Sequence, residues 1–220
     1  FADIVALLSV FALRDVVKML IDLDLGPQRD DKLISAKALT PRRLRESVLL
    51  KLADQMGKEL FGIRGKALRQ SADLTPQQVD LKSEEFQESH RRGEVLVAAM
   101  LNAFIEVWHE RMQTLGALQE GRLSRERVVE EGAEIADSLL TMSIRALDYT
   151  PPVHLEFGDF LSALLTADHE IRPDDSRYRF RQRLLKSFKS YGIQPAAKTG
   201  GTEEGMWGPQ GVGLNYKRTH

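Results

Sequence analysis

Apolar residues recur every three or four positions along most of this chain, and this spacing limits its fold more than any other feature. A helix with that spacing presents its apolar side chains on one face, which packs against a core. We find no internal repeat and no convincing strand signal, so the sequence predicts an all-α fold, a bundle of about six helices. The clearest run of apolar residues is Val97, Leu101, Phe104, Trp108, Met112 and Leu115.

Capping residues and helix breakers set the expected boundaries. Thr40 followed by Pro41 is typical of a helix start, Ser124 is a good N-cap, and the Pro151–Pro152 pair stops a helix. The predicted helices cover about 2–23, 40–56, 90–115, 124–150, 160–165 and 180–188.

Two stretches break the helical pattern. Residues 57–89 contain several glycines and a cluster of acids, which predicts a long irregular loop. After residue 193 the chain becomes rich in glycine, with too few apolar residues to fold alone. We therefore expect one helical domain over residues 1–193 and a flexible tail over 194–220.

Charge and cysteine content exclude several classes of function. The chain has 31 Lys and Arg against 32 Asp and Glu, a formal net charge of −1, so we expect no nucleic-acid partner. It contains no Cys, which excludes disulfides and thiolate metal sites. The opening apolar run is too short to span a bilayer, so no membrane contact is expected. Because Phe1 falls inside a helical pattern, we expect the chain to be part of a longer protein.

Two short motifs for metal or phosphate binding are incomplete. A zincin carries two His residues four positions apart on a helix, with a Glu after the first. His109–Glu110 is followed by Gln113, and His169–Glu170 by Pro173, so neither pair completes the motif. Residues 65–69 contain Gly and Lys but lack the rest of a phosphate loop. The chain itself is therefore expected to contain no metal ligands.

His90 stands at the expected start of the third helix and has two interpretations. Glu84, Glu85 and Glu88 lie just upstream, and nearby carboxylates favour a protonated imidazole, whereas a helix N-terminus disfavours a cation. A His in this position can donate a hydrogen bond to a developing oxyanion. The alternative is a surface residue in a capping region.

Several segments together, in order, resemble the thermolysin-like zinc metallopeptidases, or gluzincins. The opening sequence FADIVALL is similar to the helix that carries the family's third zinc ligand, a Glu, and an Asp four residues later. Residues 65–71, GKALRQS, resemble the family's Gly-x-Ala-Leu-Arg-Ser segment, and residues 89–93, SHRRG, resemble its His followed shortly by Gly. In the family that Gly comes four residues after the His, whereas Gly93 comes three after His90. Residues 144–151 and the helix that follows are similar to the closing helices of the same domain.

The resemblance covers about residues 1–193 and implies the C-terminal helical domain of a divergent bacterial member, truncated at its N-terminus. It implies that Asp3 orients a zinc-bound His from outside the metal's ligand shell, with the ligand Glu two residues before Phe1. It further implies that Arg69 contacts the substrate carbonyl and that His90 stabilises the tetrahedral intermediate. An acid upstream would orient His90; Glu85 is the candidate and Glu88 the rival.

The implied function is one half of a zinc-dependent peptidase that acts on a peptide or protein. Zinc, its ligands and the catalytic Glu would belong to the missing N-terminal part, so the chain alone should be inactive. Two rivals remain: a helical interaction module without catalysis, and an Arg-rich helix that binds nucleic acid. Asp3 has an alternative role as a helix-capping or solubilising residue, and Arg69 has one as the ion-pair partner of Asp73.

Overall fold

The structure, a computed structural model, describes residues 1–25, 32–45, 71, 73–116, 121–152, 154–196 and 204–207. It confirms the all-α prediction: within these residues lie seven α-helices, of which six have ten residues or more. The helices are α1 (Ala2–Phe11), α2 (Arg14–Leu25), α3 (Pro41–Arg43), α4 (Ser89–Thr114), α5 (Arg125–Ala146), α6 (Phe157–Ile171) and α7 (Phe180–Ser190). Two short strands, β1 (Leu33–Ser35) and β2 (Arg122–Ser124), form an antiparallel pair.

The predicted caps lie at the helix starts. The Thr40 hydroxyl accepts a hydrogen bond from the backbone N–H of Arg43 at 3.3 Å, and the Ser124 hydroxyl accepts one from Arg127 at 3.4 Å. These bonds satisfy N–H groups that a first helical turn leaves without partners. Helix α4 buries the predicted apolar stripe, in which Phe104 and Trp108 are fully buried.

Helix α5 packs against four others, α1, α2, α4 and α6, and so occupies the middle of the bundle. Trp108, near the end of α4, donates its indole N–H to the carbonyl of Val128, near the start of α5, at 3.1 Å. Helices α4 and α5 therefore run in opposite directions.

Helix α7 runs antiparallel to both α4 and α6. At its start, Arg179 pairs with Glu110 near the end of α4; close to its end, the Ser187 hydroxyl donates to the Ala99 carbonyl at 2.7 Å. Past its end, the backbone N–H of Ala196 donates to the Gly158 carbonyl at the start of α6, at 3.1 Å. Helices α4 and α6 consequently begin at the same end of the bundle.

The predicted first helix is in fact two helices. After Phe11 the backbone N–H of Leu13 donates to Val10, three residues back, and α2 begins at Arg14. Phe11 is fully buried and packs on Phe104, with ring centroids 5.2 Å apart, whereas Leu13 is exposed. Neither Gly nor Pro marks this break in the sequence.

The strand pair also differs from the expectation, because no strand pattern stands out in the sequence. Three residues per strand are too few for an alternating pattern to be recognised. The backbone N–H of Arg125 donates to the Lys32 carbonyl at 2.9 Å, so the pair ties the segment after α2 to the start of α5.

The predicted loop and tail lie only partly in the described residues. Residues 57–70 and 72 of the loop lie outside them; its described part has two 3₁₀ turns, Pro76–Gln78 and Glu84–Gln87. Of the tail, residues 204–207 pack on the bundle: Met206 is buried, and the backbone N–H of Trp207 donates to the Thr166 hydroxyl at 3.0 Å. In the part of the chain that the structure describes, no helix is both long and apolar enough to cross a membrane.

Candidate functional site

Asp3 lies in the first turn of α1 on its exposed side. Ile4 and Leu7 of the same helix point into the core. Phe1, just before the helix, meets the ring of Phe160 edge-on, with centroids 6.0 Å apart. The start of α1 is therefore fixed against the first turn of α6, and the Asp3 carboxylate stays accessible.

His90 is the second residue of α4 and is exposed. Glu88 caps this helix: its carboxylate accepts hydrogen bonds from the backbone N–H groups of His90, at 3.0 Å, and Arg91, at 2.8 Å. These two bonds hold the pKa of the Glu88 carboxyl below its ordinary value, and the bond from His90 has the larger effect. Glu88 therefore engages the backbone that carries the imidazole.

Glu85, the predicted partner of the His90 ring, binds an arginine in the structure. Its carboxylate accepts hydrogen bonds from Nε of Arg91, at 3.1 Å, and from Nη2. Arg91 also pairs with Glu94, which is largely buried. The Glu85 carboxylate therefore faces Arg91 in this structure.

The starts of α1, α4 and α6 lie at one end of the bundle. The Arg92 guanidinium carbon is 5.5 Å from the ring centroid of Phe157, and Phe157 and Phe160 both belong to the first turn of α6. Since Phe1 contacts Phe160, the residues next to Asp3 and those next to His90 meet the same helical turn.

Helix geometry gives an estimate of how far Asp3 lies from His90. Phe11 and Phe104 are in contact, and α1 and α4 run in the same direction from the shared end. Asp3 precedes Phe11 by eight residues and His90 precedes Phe104 by fourteen, so at 1.5 Å per residue the two differ by ~9 Å along the axes. Arg69, the third predicted residue, lies outside the described residues.

Zinc ligands are not gathered in the described part of the chain, where no three His, Asp or Glu side chains could hold a metal ion. The His109 ring lies 3.3 Å from the Gln113 amide, at the position where a zincin has its second histidine. Burial lowers the pKa of His109, although Glu110 opposes that shift. The described residues therefore do not fit a zinc site by themselves.

Two buried carboxylates that sequence reasoning missed organise the other end of the bundle. Asp168 is fully buried, and it pairs with Arg181 at 2.9 Å and with Arg172 at 3.3 Å. Burial raises the pKa of Asp168, the nearby Asp175 carboxylate adds to the rise, and the two guanidinium groups oppose it. The signal in the sequence was an acid inside the apolar run of α6.

Glu131 on α5 is the second of these carboxylates and is 2% exposed. It accepts two hydrogen bonds from Arg111, at 3.0 and 3.1 Å, and one from the Tyr178 hydroxyl at 3.1 Å. Burial alone would raise the pKa of Glu131, but Arg111, Tyr178 and Arg177 together hold it below its ordinary value. Burial and the Glu131 charge raise the pKa of Tyr178.

The arginines around the start of α7 pair with acids. Arg177 binds Glu131 and Glu134, and Arg179 and Arg183 bind Glu110. These pairs neutralise much of the positive charge that a nucleic-acid backbone would need.

Comparison of the chain with protein-family models, with curated proteins and with solved structures gave no match in any of the three. The family resemblance described above therefore stands on the quoted residues alone and remains a hypothesis.

Proposed function

We propose that this chain is the helical half of a zinc-dependent peptidase and that it supplies residues which orient a metal ligand and stabilise the transition state. One observation carries the proposal: α1 and α4 begin at the same end of the bundle, with Asp3 and His90 both exposed there. Side chains that act on one substrate must lie on one surface.

The proposed roles follow from the chemistry of each side chain. The His90 imidazole and the Arg69 guanidinium would donate hydrogen bonds to the oxygen of the scissile carbonyl as it gains negative charge. The Asp3 carboxylate would accept the second ring N–H of a metal-bound His and so fix that ring's tautomer and orientation.

The zinc site itself would lie in another part of the protein. Under this proposal, as the family resemblance implies, the zinc ligands and the water-activating Glu belong to a segment preceding Phe1. The zinc would polarise the water that attacks the peptide bond. The 220-residue chain alone should therefore be inactive.

The test is peptidase activity of the full-length protein on an unfolded protein substrate, measured before and after zinc removal with a chelator. We expect activity that the chelator abolishes and that added Zn²⁺ restores, and a His-Glu-x-x-His sequence upstream, with a further Glu two residues before Phe1. A full-length protein without that sequence and without activity would remove the proposal.

A second candidate function, an interaction module without catalysis, is favoured by exposed apolar side chains that are close together in the sequence. Four large apolar side chains from the last turn of α5 to just before α6 are exposed: Ile144, Leu147, Tyr149 and Leu155. Apolar side chains grouped on a surface often mark a protein-binding site. If this were the function, the full-length protein would be inactive, and Leu155→Ser would weaken partner binding while His90→Ala would not.

A further inference from the structure

We propose that Arg91 is a positioning residue for His90. Arg91 pairs with the carboxylates of Glu85 and Glu94, and these pairs hold in place the first turn of α4, which carries the His90 imidazole. This inference rests on the proposed function and adds a residue to which the family resemblance gave no role. Arg91 would not touch the substrate; it would act through the placement of its neighbour.

The first step is the position of the two carboxylates. Glu85 belongs to the 3₁₀ turn Glu84–Gln87, before the helix, and Glu94 belongs to the second turn of α4. Arg91 binds both at once. The hydrogen bonds that Arg91 donates to Glu85 raise the pKa of Arg91. One guanidinium thus joins the segment before α4 to the helix itself.

The second step is the anchor beneath Arg91. Its guanidinium carbon lies 5.4 Å from the ring centroid of Phe86, and Phe86 is 1% exposed within the core. A cation over an aromatic face is held by the ring's electron density. Arg91 is therefore held by the buried Phe86 ring as well as by the carboxylates of Glu85 and Glu94.

The third step is the first turn of α4, which carries His90. Glu88 is the N-cap of α4, and its carboxylate accepts hydrogen bonds from the backbone N–H groups of His90 and Arg91. His90 itself is exposed, so burial in the core does not fix its ring. Its position depends instead on the backbone of its turn, which Arg91 and Glu88 hold from both sides.

The next residue along the chain offers a matched control. Arg92 is exposed and its guanidinium lies over Phe157, but among the described residues it forms no ion pair with a carboxylate. Replacing Arg92 removes the same charge and the same kind of ring contact from the same helical turn. It leaves the contacts of Arg91 with Glu85, Glu94 and Phe86 intact.

The experiment compares Arg91→Met with Arg92→Met in the full-length protein, each with and without His90→Ala. We expect Arg91→Met to lower kcat by about tenfold or more while KM changes less than twofold, since small displacements of an aligned group are costly. Arg92→Met should leave kcat unchanged. In the His90→Ala background, Arg91→Met should cause no further loss, because its effect passes through the imidazole.

Two results would overturn the inference: an unchanged kcat in Arg91→Met, or an equal loss of kcat whether or not His90 is present. The second would mean general damage to the fold. If Arg91→Met is unfolded at the assay temperature, Arg91→Lys replaces it, keeping the charge and losing the fork that spans two acids. Its kcat should also fall only when His90 is present. An inactive wild-type protein, or a His90→Ala variant with full activity, would instead refute the proposed function and this inference with it.

Discussion

The guanidinium of Arg181 lies 2.9 Å from the carboxylate of Asp168, which is fully buried in α6. Arg181 also donates to the carbonyls of Arg172, at 3.0 Å, and Pro173, at 3.0 Å. This single side chain therefore joins the start of α7 to the end of α6 and to the turn between them.

Removing Arg181 should destabilise the bundle strongly. Arg181→Met leaves the Asp168 carboxylate buried without its main partner, and breaking a buried pair costs about 3–5 kcal/mol of unfolding free energy. Arg179→Met is the control, because Arg179 is exposed and its pair with Glu110 at 3.4 Å is worth at most about 1 kcal/mol. Urea unfolding of both variants measures the difference; equal midpoints would contradict the buried pair's role.

Glu131 should make stability depend on acid pH. Its pKa is lowered in the folded protein, so the stability it adds is present above the ordinary Glu pKa of about 4.3 and is lost as the pH falls through the lower, folded value. The unfolding free energy should therefore fall as the pH drops below about 5 towards and past the ordinary Glu pKa, and Glu131→Gln should flatten that fall. Glu134→Gln, at an exposed partner of Arg177, should leave the slope nearly unchanged. A Glu131→Gln protein with the wild-type slope would refute the assignment.

Gly132 should resist replacement by Ala despite its place inside a helix. A Cβ atom there would lie 2.6 Å from two ring atoms of Trp108, which is fully buried. Overpacking a core costs about 1–3 kcal/mol, more than the gain of up to about 1 kcal/mol in helix propensity. Gly93→Ala on α4 is the comparison, since nothing lies within 4 Å of its added Cβ. Thermal unfolding should show Gly132→Ala less stable and Gly93→Ala at least as stable as wild type; the reverse order would contradict this packing.

The sequence predicted the long helices because their signals are local. The stripe through Phe104 and Trp108 and the cap at Ser124 can be recognised within one element. The break before Arg14 was not predicted, because neither Gly nor Pro marks it. The strand pair was not predicted either, since it depends on Leu33 meeting Ser124, far along the chain.

The residues of the candidate site were proposed from the sequence, whereas their contacts are visible only in the structure. Glu85 was expected to orient His90, yet its carboxylate is bound by Arg91, six positions along and across the helix cap. Such a pairing depends on the angle between the 3₁₀ turn and α4, which no short sequence pattern specifies. The joint contact of Phe1 and Arg92 with α6 likewise arises only once the bundle is assembled.

The most direct test of the account is the turnover of His90→Ala in the full-length protein. If His90 stabilises charge on the scissile carbonyl oxygen, kcat should fall by about 10²–10³-fold while KM changes little, because that charge develops only in the transition state. His109→Ala, at the partly buried histidine further along the same helix, should keep its kcat. A His90→Ala enzyme with the wild-type kcat would contradict the central claim that the end of the bundle where α1 and α4 begin forms half of a hydrolytic site.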